Sequence, residues 1–268
     1  MSVGHYENFP VASLLLPPAL RGPVSVIYRF ARTADDFADE GSDAAPLRLE
    51  KLQAYRVELQ GIQSNRASAD PLFSELARVV RTHDLPLQLF QDLLDAFAQD
   101  VVKNRYADYA EVLDYCRRSA NPVGRLVLRL FRQDSTENLQ RSDCICSALQ
   151  LINFWQDVRI DFETRNRVYL PQDDMHDHGV DEAHLREQRC DAAFRELMRF
   201  QVERARRLML EGKPLVDRLK GRLRLEIGVT VQGGLRILEK LERAGYDMFR
   251  HRPVLSALDW PLLFLRAF

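Results

Sequence analysis

The chain has 268 residues, 46% hydrophobic and 29% charged, with a formal net charge of −1. That size and composition describe a globular chain able to build a sizeable core around an internal cavity, and exclude a disordered or membrane-spanning protein. A near-neutral balance leaves no basic field for holding nucleic acid. Four cysteines, Cys116, Cys144, Cys146 and Cys190, sit in helix-like stretches without zinc-ligand spacing. They are expected to be reduced thiols of a cytoplasmic protein.

Helical periodicity runs almost unbroken, and no stretch alternates strictly enough to demand a strand. The breakers divide the chain into about eight to ten helices of one all-α domain spanning residues 1–268. The first ten residues lack a basic region followed by an apolar core, so no signal peptide is expected. Pro17-Pro18 and Gly22-Pro23 precede the first motif-bearing helix, and Gly41-Ser42-Asp43 ends it. Asn65 to Pro71 reads as a polar loop, and Asp84-Leu85-Pro86 opens another helix.

Lys103-Asn104-Arg105-Tyr106 supplies cations at a helix end that either stay there or cover a bound anion. Asn121-Pro122 bends or ends a helix, and Gly124 admits a close neighbour. Ser142-Asp143 offers caps for the helix carrying the second acidic motif. Pro171 to Asp181 is expected to be a loop, its His176, His178, Asp173, Asp174 and Asp177 being surface decoration. Asp181 then caps a long charged helix whose run Arg199 to Arg207 forms a solvated face. Gly233-Gly234 is expected to interrupt the last long helical run. The tail from Val254 to Phe268 is too short and broken to span a bilayer. It is expected to pack onto the body, and is compatible with resting on a membrane surface.

Two acidic stretches carry the chemistry: Asp35-Asp36-Phe37-Ala38-Asp39 and Asp157-Val158-Arg159-Ile160-Asp161. On a helix advancing about 100° per residue, Tyr28, Arg32, Asp35 and Asp39 share an arc of roughly 60°, with Asp36 at its edge. On the second helix, Gln150, Asn153, Asp157 and Asp161 share roughly 80° of an otherwise apolar circumference. A buried helix with one polar stripe faces water or an ion, because uncompensated buried carboxylates are too costly. Oxygen ligands suit Mg²⁺, which keeps waters and phosphate oxygens in its shell. Two opposed pairs of carboxylates can therefore clamp Mg²⁺ against a diphosphate. The same residues also admit a plainer reading, as solvated helix faces or carboxylates paired with arginines across a bundle.

These segments resemble the squalene/phytoene synthase family of head-to-head prenyl-condensing enzymes. The likeness runs from His5 to about Tyr246. It is carried by Tyr28 to Asp39, by Tyr115-Cys116-Arg117-Arg118-Ser119-Ala120-Asn121-Pro122-Val123-Gly124, by Gln150 to Asp157 with Asp161, and by Arg167-Val168-Tyr169-Leu170-Pro171. The resemblance implies an all-α isoprenoid synthase fold, a single helical domain with a central active-site cavity.

It also implies Mg²⁺ held by Asp35, Asp39 and a supporting Asp36 from one wall, and by Asn153, Asp157 and Asp161 from the other. Arg32 would bind diphosphate oxygens, and Tyr28 would sit beside the reacting carbons. His5, Tyr6, Glu7 and Asn8 would rim the substrate site, Gln150 would line it, and Tyr246 would approach the diphosphate. Arg167 and Tyr169 would be further diphosphate contacts. Aromatic faces such as Tyr28, Phe9 and Phe154 could shelter a carbocation, although Phe154 reads more simply as core.

The opening His5 to Ser13, with Ser119 to Pro122 and Asn153 to Asp157, is similar to the bacterial branch that serves hopanoid synthesis. By that likeness presqualene diphosphate is ionised and captured by water to give hydroxysqualene. Neighbouring pathway enzymes would supply the substrate and reduce the alcohol; no glycine-rich dinucleotide turn is visible here. Many condensing relatives carry arginine before the second motif's first aspartate, where this chain has Gln156. Gln156 is accordingly expected to help hold the capturing water. Condensation of two farnesyl or geranylgeranyl diphosphates remains open, as does a non-catalytic relative of the same fold. Product and substrate are so apolar that a peripheral contact with the inner membrane surface is also compatible.

Overall fold

The computed structural model describes residues 17–41 and 43–267. It contains thirteen helices among them: α1 (Pro18–Asp39), α2 (Ala45–Gln63), α3 (Pro71–His83), α4 (Leu87–Val102), α5 (Tyr109–Ser119), α6 (Asn121–Leu130) and α7 (Thr136–Arg165). After these come α8 (Gln172–Asp177), α9 (Glu182–Arg186), α10 (Ala192–Gly212), α11 (Leu215–Arg218), α12 (Gly221–Arg243) and α13 (Trp260–Ala267). The expected eight to ten helices fell short because α8, α9 and α11 are too brief to leave a periodic signal. Among the described residues there is no strand, only one isolated parallel bridge between Arg105 and Val168.

Local chemistry sets most of the boundaries. Asp70 caps α3 by accepting from the Leu72 amide, and Asp108 caps α5 by accepting from that of Glu111. The second motif's helix starts earlier than expected: Ser135 caps α7 through the Asn138 amide. Ser142 is buried inside that helix and caps nothing. Asp181 caps only the five-residue α9, and Asp191 caps the long α10. The expected loop from Pro171 contains α8, and Asp174 is buried there, taking Arg204 and Gln201 as partners. Arg204 is therefore not part of a solvated face; it also lies over the rings of Tyr109 and Phe200.

Small residues let the helices pack backbone to backbone. Gly233-Gly234 does not interrupt α12, which runs through both. A Cβ at Gly234 would stand 2.7 Å from Met209 and 3.2 Å from Leu149, so glycine here permits contact with α10 and α7. At Gly212 it would stand 2.7 Å from the Arg141 carbonyl. Gly124 brings α6 against Ser142 and Cys146 of α7. The Asn121-Pro122 signal is a true helix junction, with Ala120 between α5 and α6.

Two apolar cores result. One gathers α1 to α4 around Phe30, Tyr55, Phe73 and Phe90, whose rings meet mainly edge to face. The other surrounds α7 with α10 and α12, and Trp155 is its largest buried side chain. Phe131 packs against both. After α12 the chain turns back and α13 lies along α12, burying Leu263 and anchoring Asp259 on Arg236 and Lys240. All four cysteines are free thiols.

Candidate active site

The acidic end of α1 and the acidic stretch of α7 face one another across a single guanidinium. Arg165 stands 3.3 Å from Asp39 Oδ2 and 3.3 Å from Asp161 Oδ1. Arg167 completes the junction: its Nη2 donates to Asp39 Oδ1 at 2.7 Å and to the Asp100 carbonyl at 3.0 Å. Asn166, left-handed at φ 52°, ends α7 and turns the chain so that both arginines reach the same carboxylate. The bridge between Arg105 and Val168 fixes this turn against the end of α4, with the Val168 amide donating to Asn104 at 2.9 Å.

Below this lies a buried polar knot. The Tyr115 hydroxyl donates to Asp100 Oδ2 at 2.6 Å, and the Tyr169 hydroxyl approaches Oδ1 at 3.4 Å. Burial pushes the Asp100 carboxyl up to about 6, against the lowering pull of Arg167. Burial would draw Arg167 down, yet Tyr169, Asp100 and Asp39 raise it overall. Phe154 and Tyr169 stack at 3.6 Å with planes 6° apart, and with Val158, Asp161 and Arg167 they line a small pocket. Phe154 is buried core, as its position suggested. The larger surface cleft, about 280 Å³ between α1 and α3, carries none of the acidic motif residues.

Charge is strained in both motifs. Burial, then neighbouring Asp39, pushes Asp35 up to about 7. Burial, then Asp157, pushes Asp161 up to about 7 as well. Arg32 is held within its own helix, 2.7 Å from Asp36 and from Glu40 and 3.5 Å from Asp35. Tyr28 lies one turn before it, half-buried. On α7, Gln150, Asn153 and Asp157 of the expected stripe are half-buried between closed-off neighbours, whereas Asp161 is itself buried. Asp157 forms a two-point pair with Arg252.

Several expectations need correction. Gln156 does not face the stripe; it is 1% exposed and donates to the Pro253 carbonyl at 2.5 Å. Its position about 60° off the stripe turns it toward the C-terminal segment. Tyr246 is half-buried, its hydroxyl raised by burial and then by Glu242 of α12. Lys103 pairs with Glu111, and Arg105 with Glu182 and Asn166, so these cations hold the loop after α4. His5, Tyr6, Glu7, Asn8 and Phe9 lie outside the described residues.

Sequence reasoning missed Arg165, Asp100 and Arg252. Asp100 was detectable as a lone carboxylate in the apolar run from Ala96 to Val102. Arg252 belongs to a basic cluster just after Tyr246, and Arg165 falls one turn beyond Asp161.

Among the described residues no three His, Cys, Asp or Glu side chains converge closely enough to ligate a metal ion. The arginines stand between the carboxylates, as the plainer sequence reading allowed. The donors nonetheless fit a hard divalent cation, being oxygens on two facing helices. Asp35 and Asp161, held near 7 by burial and like charge, carry repulsion that such a cation relieves.

The chain is 38% identical to a hydroxysqualene synthase from Rhodopseudomonas palustris, covering 88% of this chain and 80% of the relative. It is 37% identical to one from Sinorhizobium fredii, covering 94% and 85%. The crystal structure of squalene synthase HpnC from Alicyclobacillus acidocaldarius superposes with a TM-score of 0.84 at 36% identity, covering 90% of each chain. A dehydrosqualene synthase at 21% identity shares the fold, with a TM-score of 0.83. The squalene/phytoene synthase family model matches residues 3–259, and the chain belongs to that family.

Proposed function

We propose that this chain ionises presqualene diphosphate and lets water capture the cation, giving hydroxysqualene and diphosphate. The observation that carries the reading is the shared Arg165, which places Asp39 and Asp161 on opposite sides of one cation. The relatives named hydroxysqualene synthase support it from sequence.

The carbon–oxygen bond to diphosphate breaks with its electron pair leaving on oxygen. A water oxygen then bonds to carbon and sheds a proton. Asp35, Asp39, Asn153, Asp157 and Asp161 would hold Mg²⁺, with Asp36 supporting through Arg32. When bound, Mg²⁺ neutralises charge developing on the leaving diphosphate. Arg165 and Arg167 would supply fixed positive charge beside that group. The Phe154–Tyr169 stack forms a dry floor that delays water until the bond has broken.

Purified protein with Mg²⁺ is expected to turn presqualene diphosphate into hydroxysqualene, identified by mass spectrometry. Consumption of farnesyl diphosphate, with presqualene diphosphate untouched, would establish the condensing reading instead. That second reading draws on a phytoene synthase from Thermus thermophilus, 32% identical over 98% of this chain. A non-catalytic relative would have no need to retain both sets of carboxylates.

No described helix is long and apolar enough to cross a membrane. We place the protein at the inner membrane surface through α13. Leu258 is 89% and Leu265 77% exposed, Trp260 and Phe264 add apolar surface, and exposed Arg250 lies eight residues before Leu258. Apolar anchors beside cations suit an anionic bilayer. Co-sedimentation with vesicles containing phosphatidylglycerol is expected, and its persistence in Leu258→Ser/Leu265→Ser would refute the α13 contact.

A further inference from the structure

The segment after α12 crosses the second acidic helix and is held there at two adjacent positions. Gln156 donates to the carbonyl of Pro253 at 2.5 Å. The next residue on α7, Asp157, meets Arg252: Nη2 donates to Oδ2 at 2.9 Å and Nε donates to Oδ1. Beyond this clasp the segment is anchored independently, for Lys240 donates to the Val254 carbonyl at 2.7 Å and Arg236 holds Asp259 at 2.7 Å.

A two-point guanidinium pair occupies both oxygens of its carboxylate. A divalent cation taking Asp157 as ligand would set its charge beside that of Arg252, so the two cations compete for the one carboxylate. Gln156 faces away from the stripe and holds the Pro253 carbonyl. It has the geometry of a positioning residue, setting the segment so that Arg252 arrives at Asp157.

We propose that Arg252 and Pro253 form a cation-displaced latch: Gln156 seats the segment, Arg252 neutralises Asp157 in the unloaded protein, and divalent-cation binding evicts Arg252 and loosens residues 250–253. The proposal rests on Asp157 being a metal ligand. By linkage, whatever the metal loses in displacing Arg252, the latch loses equally on metal binding.

The test uses MnCl₂, with and without inorganic pyrophosphate, as the probe. Free Mn²⁺ is read by electron spin resonance, and the segment is followed by hydrogen exchange. In the wild type, exchange of residues 250–252 is expected to quicken as Mn²⁺ binds. Arg252→Met is expected to tighten Mn²⁺ binding about tenfold, as for removal of a competing charge-assisted pair, and to exchange quickly without metal. Gln156→Met is expected to act in the same direction and to add nothing in the Arg252→Met background.

A merely structural ion pair would lower thermal stability and leave Mn²⁺ affinity unmoved, which overturns the latch. Weaker Mn²⁺ binding by Arg252→Met overturns it too. Should that variant not fold, unchanged exchange in the Mn²⁺-loaded wild type decides against it. A wild type that binds no Mn²⁺ under either condition overturns the metal-site reading and the latch together, whereas binding without loosening defeats the latch alone.

Discussion

Asp161→Asn is expected to lose about 10²–10³-fold in turnover, as for loss of one electrostatic element of a preorganised site, and yet to stabilise the metal-free protein at pH 8. The first effect follows from removing a carboxylate that faces Asp39 across the cleft. The second follows from its proton. The folded carboxyl keeps its proton up to about 7, whereas the unfolded one releases it near the ordinary value of 3.8.

Between those values the unfolded chain binds fewer protons than the folded chain. Stability of the metal-free protein therefore drains away as pH rises from about 4 to about 7. The share due to Asp161 is on the order of 2–4 kcal/mol. Asp35 adds less, because water screens its more exposed side chain. Urea titrations in EDTA at pH 5 and 8 measure this: the variant should gain at pH 8 and little at pH 5. A variant less stable than wild type at pH 8 would show the Arg165 pair to outweigh burial.

Arg167→Met is expected to cost about 3–5 kcal/mol at pH 8, the usual penalty for stranding buried charge by removing its partner. Two groups lose the guanidinium: Asp39, which it contacts at 2.7 Å, and Asp100, whose carboxyl it restrains from rising further. Asp100 already sits at about 6 with Arg167 present, so without it the carboxyl takes a proton more readily still. The penalty should shrink at pH 5, where a protonated Asp100 no longer needs a counter-charge. Equal losses at both pH values would mean that Arg167 acts by packing alone. Lysine should rescue poorly, since a single ammonium cannot reach both Asp39 and the Asp100 carbonyl.

The helical class and the two acidic stripes were legible because periodicity and carboxylate spacing are local properties. The half-buried line of Gln150, Asn153 and Asp157 on a closed helix is the clearest case. Capping at Ser142 and the break at Gly233-Gly234 were misread for one reason: small residues serve turns and close helix contacts alike. Only the neighbours distinguish them, and at Gly234 those are Met209 and Leu149, far away in the chain. Gln156 was misassigned because its partner, the Pro253 carbonyl, lies 97 residues further on. Arg165 and Arg252 were invisible as site residues because an arginine's partner is set by tertiary approach, while the carboxylates announced themselves by number.

The guanidinium lodged between α1 and α7 bears on the protein's life before catalysis. An acidic cleft without internal counter-ions would push its walls apart during synthesis and leave the newly made chain dependent on ambient magnesium. Here the ballast is built in, so the polypeptide can mature empty. Loading becomes an exchange of one set of positive charges for another.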